Sequence, residues 1–215
     1  MPLIVRDVDP ARFNDPLAMR VSWQPMQPGG ANHRRLRLRW QADGGLAFRP
    51  AFVANAAPIL FLGWSCLLLL VLLFTVVDGG GIGIGEVVAA ACALLFLLIG
   101  LWFWRARPIS HHFDVAVGVY RYGRATPLPL ANIHALQMIG QEVRPNLALD
   151  INQRHFHSYE LNLVLSDGTR RPLVNQSGVD RLRLEAGELA AALGVPLWDG
   201  SQGVGDGGTS YVFPV

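Results

Sequence analysis

The sequence predicts an α+β protein: a β-barrel of about seven strands with a C-terminal helix, interrupted by a two-helix transmembrane hairpin. Three observations carry this prediction. Residues 56–77 and 87–104 are uncharged runs of 22 and 18 residues. The segments on either side of this pair alternate apolar and polar residues with the two-residue period of a half-buried strand. Near the C-terminus the period lengthens to three and four residues, the spacing of one helix face.

Taken in order, residues 1–33 hold five prolines and a PGG turn. They read as an extended N-terminal arm lying across the barrel, with Trp23 and Met26 as candidate anchors. Residues 34–50 form the first β-hairpin. Leu36, Leu38 and Trp40 alternate with Arg35, Arg37 and Arg39, ADGG makes the turn, and LAF begins a return strand that stops at Pro50.

The two apolar runs follow. A buried strand spans about 4–8 residues and a bilayer-crossing helix about 17–25, so both runs read as membrane helices. Only a helix satisfies every backbone group over that length in lipid. Gly63, Ser65, Ala89, Ala93 and Gly100 are small enough for close helix–helix contact, within the hairpin or between protomers. Trp64 is read as packing on the partner helix.

The nine residues between the runs, DGGGIGIGE, invite comparison with a phosphate loop. No frame fits G-x-G-x-x-G, the chain contains no lysine for a G-K-S/T ending, and Glu86 would repel an anion at the helix start. The stretch reads as the turn of the hairpin, and no nucleotide is expected.

Arginine sets the orientation. Arg34, Arg35, Arg37, Arg39 and Arg49 precede the first run, Arg105 and Arg107 follow the second, and the turn has none. Positive residues stay in the cytoplasm. Both termini are therefore expected on the cytoplasmic side of a bacterial inner membrane, with Trp102, Trp104, Arg105 and Arg107 as interface anchors. Cys66 and Cys92 sit at depths that differ by roughly 9 Å in an antiparallel hairpin at ~1.5 Å per residue, beyond disulfide reach.

Residues 109–199 supply the remainder of the barrel. HHFDVAVGVYRYG breaks at Gly118 into two strands, IHALQMIGQEV gives another, and YELNLVLSDGTRRPLVNQ folds back at Ser-Asp-Gly. In GVDRLRLEAGELAAALGVPLW the apolar positions Leu182, Ala186, Leu189, Ala190 and Leu193 define one helix face, ending at Gly194 with Pro196 beyond. Its carboxylates, Asp180, Glu185 and Glu188, read as solvated. Residues 200–215 are a glycine-rich flexible tail, whose apolar end reads as frayed or, alternatively, as adding to an open barrel edge in its own chain or in a partner's.

Composition limits the function classes. Residues 1–50 carry eight arginines against four acids, so the basic excess sits just before the first span, too small and too local for nucleic acid. The histidines His33, His111, His112, His134, His155 and His157 lack the third and fourth ligands of a zinc site and read as surface or loop residues. No G-x-S-x-G elbow occurs, and Ser158 and Ser177 have no triad context. No cofactor, metal or catalytic residue is expected, and the chain reads as a non-enzyme.

FDVAVGVYRYG, LPLANIHALQMIG, SYELNLVLSDG and the helix ending in LGVPLW resemble the bacterial membrane proteins with a pleckstrin-homology-like (PH-like) domain. The resemblance extends back to DPLAMRVSWQPMQPGGANHRRLRLRW and covers most of the chain. It implies a PH-like barrel of seven strands and a closing helix, with the membrane hairpin inserted after the second strand. It implies a fold and a membrane location more than an activity, and it brings no catalytic residues. Animal PH domains use basic residues around the first hairpin for phosphoinositides, and Arg35, Arg37 and Arg39 match in general position.

The expected function is a membrane-anchored cytoplasmic module for protein or lipid interaction, with Arg34, Arg35, Arg37 and Arg39 meeting headgroups or an acidic partner. The expected partners are the bilayer and a protein or a second copy of the chain. The alternatives are an immunity protein that neutralises a membrane-targeting toxin, and an accessory subunit of a transport complex. Neither apolar run holds an ionisable residue, which argues against a conducting pathway.

Overall fold

The computed structural model describes residues 3–6, 8–27, 30–31, 33–79, 83–143, 156–201 and 210–213. It divides into two compact units, residues 50–108 and the remainder of the chain.

The smaller unit is a pair of helices, α1 (Phe52–Val77) and α2 (Ile84–Arg105). Their apolar spans cover 24 and 22 residues, or about 36 and 33 Å at 1.5 Å per residue, against a hydrocarbon core of about 30 Å. Only 6% and 11% of the two apolar windows is buried, which is the opposite of a soluble core helix. Leu60, Leu70, Leu73, Phe74, Val87, Leu94 and Leu98 all point outward. By length, composition and exposure, both helices are able to cross a membrane.

Where the helices meet, the contact is made by small residues. Ser65 and Ala93 are each 1% exposed, and the Ser65 hydroxyl donates to the Ala93 carbonyl at 2.9 Å. Gly100 is buried, and a Cβ there would lie 2.8 Å from two side-chain carbons of Leu62. Phe61 stacks on Phe103 at 5.7 Å. Gly63 and Trp64, expected in this contact, face outward instead, because helical rotation carries them off the stripe that holds Ser65. Gly100→Val is expected to loosen the pair by about 1–3 kcal/mol through overpacking. Gly63→Val, with nothing within 4 Å of its Cβ, should change little. SDS-driven unfolding of the full chain, followed by tryptophan fluorescence, compares them.

Both helices start earlier than the sequence suggests. Three residues read as turn, at 84–86, belong to α2. Glu86 is not a boundary marker but a cap: its carboxylate accepts the Gly83 N–H at 2.9 Å, and its charge complements the helix dipole. Cys66 and Cys92 are free and exposed.

The larger unit is two sheets and a helix. One sheet comprises β2 (Leu36–Trp40), β3 (Leu46–Pro50), β4 (His111–Asp114), β5 (Val119–Tyr122) and β6 (Leu128–Pro129), paired in that order. The other is built on the long strands β7 (Ile133–Val143), β8 (Phe156–Leu165) and β9 (Arg170–Gln176). Between β9 and the next strand runs α3 (Val179–Leu193). β1 (Leu3–Arg6) and β10 (Leu197–Gly200) share the free edge of β7, antiparallel and parallel respectively. β11 (Ser210–Phe213) then pairs with β1, Ile4 opposite Val212.

Alternation explains the core. Leu36, Leu38, Phe48, Phe113 and Tyr120 from the first sheet meet Leu136, Met138, Leu161, Leu163 and Val174 from the second. Leu182, Ala186 and Leu189 of α3 close the cluster. Residues that alternate with these face away from it, as the period of two requires.

Two expectations about this unit need correction. Among the described residues the sheets stay separate, so the barrel is not closed by a backbone ladder. Side chains reach β2 where no ladder does: Gln176 of β9 accepts the Leu36 N–H at 3.3 Å, and Glu185 of α3 accepts the Leu38 N–H at 3.1 Å. There are also eleven strands among the described residues rather than about seven. The additions, β1, β6, β10 and β11, are two to four residues long and too short to show alternation.

The arm is not simply extended. Pro10–Phe13 forms a 3-10 turn capped by Asp9. Trp23 stacks on Phe13 at 5.1 Å and lies 6.3 Å from Trp198. Met26 does not anchor by its side chain, which is exposed; its backbone N–H is held by Glu160.

Candidate anion-binding face

The residues singled out in β2 divide by parity. Leu36 and Leu38 point into the core, so Arg37 and Arg39 point out, and Arg35, which directly precedes the strand, is exposed as well. Arg35 and Arg39 are exposed and Arg37 is half-buried. Cross-strand register adds residues from the neighbouring strands to the same outer face. Ala47 of β3 lies opposite His112 of β4, which lies opposite Arg121 of β5. Arg49 follows Ala47 by two and shares its face. The outer face of β2–β5 therefore carries Arg35, Arg37, Arg39, Arg49, Arg121 and His112.

Its one carboxylate among the described residues is Asp114, 3.2 Å from Arg121. Arg49 donates to the Gln41 side-chain oxygen across the hairpin. Ala47, the small central residue of this face, is fully buried. Such a face can hold phosphate or carboxylate oxygens through several guanidinium forks.

Arg34 does not belong to this face, contrary to expectation. It has the parity of Leu36 and Leu38, and its guanidinium is bonded to Glu185 of α3. That parity is legible in the sequence and would have separated it from the other three. Glu185, expected to be solvated, is 9% exposed. Burial raises its carboxyl above the ordinary range, while the Arg34 charge and the Leu38 N–H pull it back. Asp180 and Glu188 are exposed as expected, and Glu188 accepts from the Trp40 indole N–H.

Arg49, His112 and Arg121 escape sequence reading because they lie on other strands, and the register that gathers them is not written in any one segment.

In the helical unit, the expected anchors divide as well. Trp102 and Trp104 are 64% and 48% exposed, and Arg105 is exposed. Arg107 is committed locally: its guanidinium lies 3.5 Å above the Trp104 ring, and its Nη1 donates to Asn55 Oδ1 at 3.1 Å. The pair joins the two ends of the hairpin.

The histidines are not all surface residues. His111 is buried, its Nδ1 2.8 Å from the Tyr120 hydroxyl, and its ring stacks on Tyr122. Burial, reinforced by the neighbouring His112, lowers its pKa to about 4. Burial raises that of Tyr120, so the phenol keeps its proton and can donate it to the imidazole. His134 contacts Asp15 at 2.8 Å. Burial raises the Asp15 pKa, but the His134 hydrogen bond and neighbouring backbone N–H groups overcome this and lower it. His157 is exposed, and His155 lies outside the described residues. No three His, Cys, Asp or Glu side chains among the described residues are grouped to hold a metal.

Comparison with protein-family models, with curated proteins and with solved structures finds no match to this chain.

Proposed function

We propose that the chain is a membrane-anchored binding module with a PH-like domain, held by its hairpin at the inner face of a bacterial cytoplasmic membrane with both termini inside. Its basic face recognises anionic groups, of lipid headgroups or of an acidic protein, and no catalysis is assigned to it. One observation carries the reading: five outward arginines and a histidine share one sheet face with a single carboxylate. The succession of β2–β5, then the long strands β7–β9, then α3 supports the PH-like reading. The arginine-free turn between two apolar helices supports the orientation.

Each arginine near an anionic surface contributes about 1 kcal/mol. The triple replacement Arg35→Ala, Arg37→Ala and Arg39→Ala is therefore expected to lower retention of anionic lipid on the order of 100-fold. Native mass spectrometry of full-length protein released from mixed-lipid nanodiscs measures it. Unchanged retention at low salt would remove the lipid role. Crosslinking in native membranes then shows whether a protein occupies the face.

A further inference from the structure

The opposite sheet has an outer face of a different kind. Gln137 and Gln141 of β7 and Ser158, Glu160 and Asn162 of β8 point away from the apolar core, yet each is at most 1% exposed. A polar row on a sheet face ordinarily meets water. Here it meets the arm, and it meets the arm's main chain.

Gln137 Nε2 donates to the Ser22 carbonyl at 3.0 Å, and Arg170 Nη1 to that of Gln24 at 2.9 Å. The two oxygens of Glu160 accept the consecutive N–H groups of Met26 and Gln27, at 2.8 and 2.7 Å. Asn175 Nδ2 donates to the Gln27 carbonyl at 2.8 Å. Ser158 Oγ accepts the Ala31 N–H at 3.0 Å and is 2.6 Å from Asn175 Oδ1. Meanwhile the side chains of Ser22, Gln24, Met26 and Gln27 are exposed. The face reads backbone and ignores those side chains.

One position is read by size. Gly30 has φ +52°, and a Cβ on it would lie 2.4 Å from Ser158 Cβ. Only glycine fits there.

The arm thus has two halves held by different forces. Upstream, Phe13, Leu17, Ala18, Val21 and Trp23 pack on Ala135, Val164 and Trp198. Downstream, side-chain-to-backbone hydrogen bonds predominate. Bonds of that kind exchange for water at small net cost, and the uncovered row of Gln, Ser, Glu and Asn is compatible with solvent. An apolar face would not be.

We propose that the outer face of β7–β9 is a docking site for a polypeptide segment of non-regular backbone, recognised through its main chain and one glycine, with residues 24–27 and 30–31 as its exchangeable resident. The ligand class follows from the contacts: two consecutive free N–H groups to meet Glu160, and a glycine four residues after the first of them. The site is independent of the basic face.

The test uses full-length protein in detergent micelles and a fluorescent peptide of residues 20–33. In Gly30→Ala protein the resident cannot seat, so the peptide should bind saturably and at least ten times more tightly than to wild type. A peptide carrying Gly30→Ala should bind neither protein. Adding Glu160→Gln to the Gly30→Ala protein should weaken peptide binding at least tenfold.

A folded Gly30→Ala protein that ignores the peptide, or that binds both peptides alike, overturns the proposal. Hydrogen exchange on wild type covers the case in which the variant does not fold. The amides of Met26, Gln27 and Ala31 should exchange at least 100-fold faster than those of Leu161 and Leu163. Equal rates would mean that the segment leaves only on global unfolding, and the proposal would fail.

Discussion

Glu185→Ala is expected to destabilise the larger unit by about 2–3 kcal/mol, because it unpairs a partly buried ion pair and a buried strand N–H. The magnitude follows from what the carboxylate holds. It accepts from the Arg34 guanidinium and from the Leu38 N–H, and so fixes β2 to α3 where the two sheets share no ladder. Alanine would leave a half-buried guanidinium and a buried strand N–H without that acceptor. Urea unfolding of the full chain in micelles, followed by near-UV circular dichroism, measures the loss. Glu188→Ala, which costs only an exposed indole bond, should fall below about 1 kcal/mol and serves as the control. The double change Arg34→Met with Glu185→Leu should recover much of the stability, since an apolar pair of similar volume avoids both desolvation costs. A loss under about 1 kcal/mol for Glu185→Ala would show that the pair does not brace the gap.

The second large effect is a pH dependence centred on His111. Its folded pKa of about 4 lies below the ordinary 6.5, so between these values the unfolded chain binds the additional proton. The contribution of the neutral imidazole is complete above pH 6.5 and is lost as pH falls toward 4. At 1.36 kcal/mol per pH unit the full loss is about 3 kcal/mol. Glu185 works in the opposite direction, because a carboxyl with a raised folded pKa gains relative stability on acidification. The comparison therefore needs His111→Gln, which removes one slope and leaves the other. Denaturation midpoints from pH 7.5 to 4 should fall more steeply for wild type than for the variant. Parallel profiles would mean that the imidazole titrates as it does in solvent.

Much of this architecture was legible in the chain, and the parts that were not have a common cause. Uninterrupted apolar length gave the two helices, and alternation gave β2 and β8, because both signals lie within one segment. Burial of a polar strand face was not legible. Glu160 and Asn162 alternate with Leu161 and Leu163 as solvent-facing residues do, and only the distant arm distinguishes the two situations. The same applies to His111, whose burial depends on Tyr120 and Tyr122 across the β4–β5 turn. β10 escaped because its four residues follow Gly194 closely and pair parallel with β7, far back in the sequence. Within the candidate face, the β2 arginines were visible as a local run. The contributions of β3, β4 and β5 required pairings on either side of the helical insertion.

That insertion has a consequence for biogenesis. β3 and β4 pair directly, Leu46 opposite Phe113, although residues 50–108 lie between them in the chain. If both helices cross the bilayer, the two halves of the domain emerge on one side and their strands can join. If only one crosses, the halves are separated by the lipid and the sheet cannot form at all. Completion of the domain would then report correct two-helix insertion, and a chain that failed this step would expose unpaired strand edges to quality-control proteases.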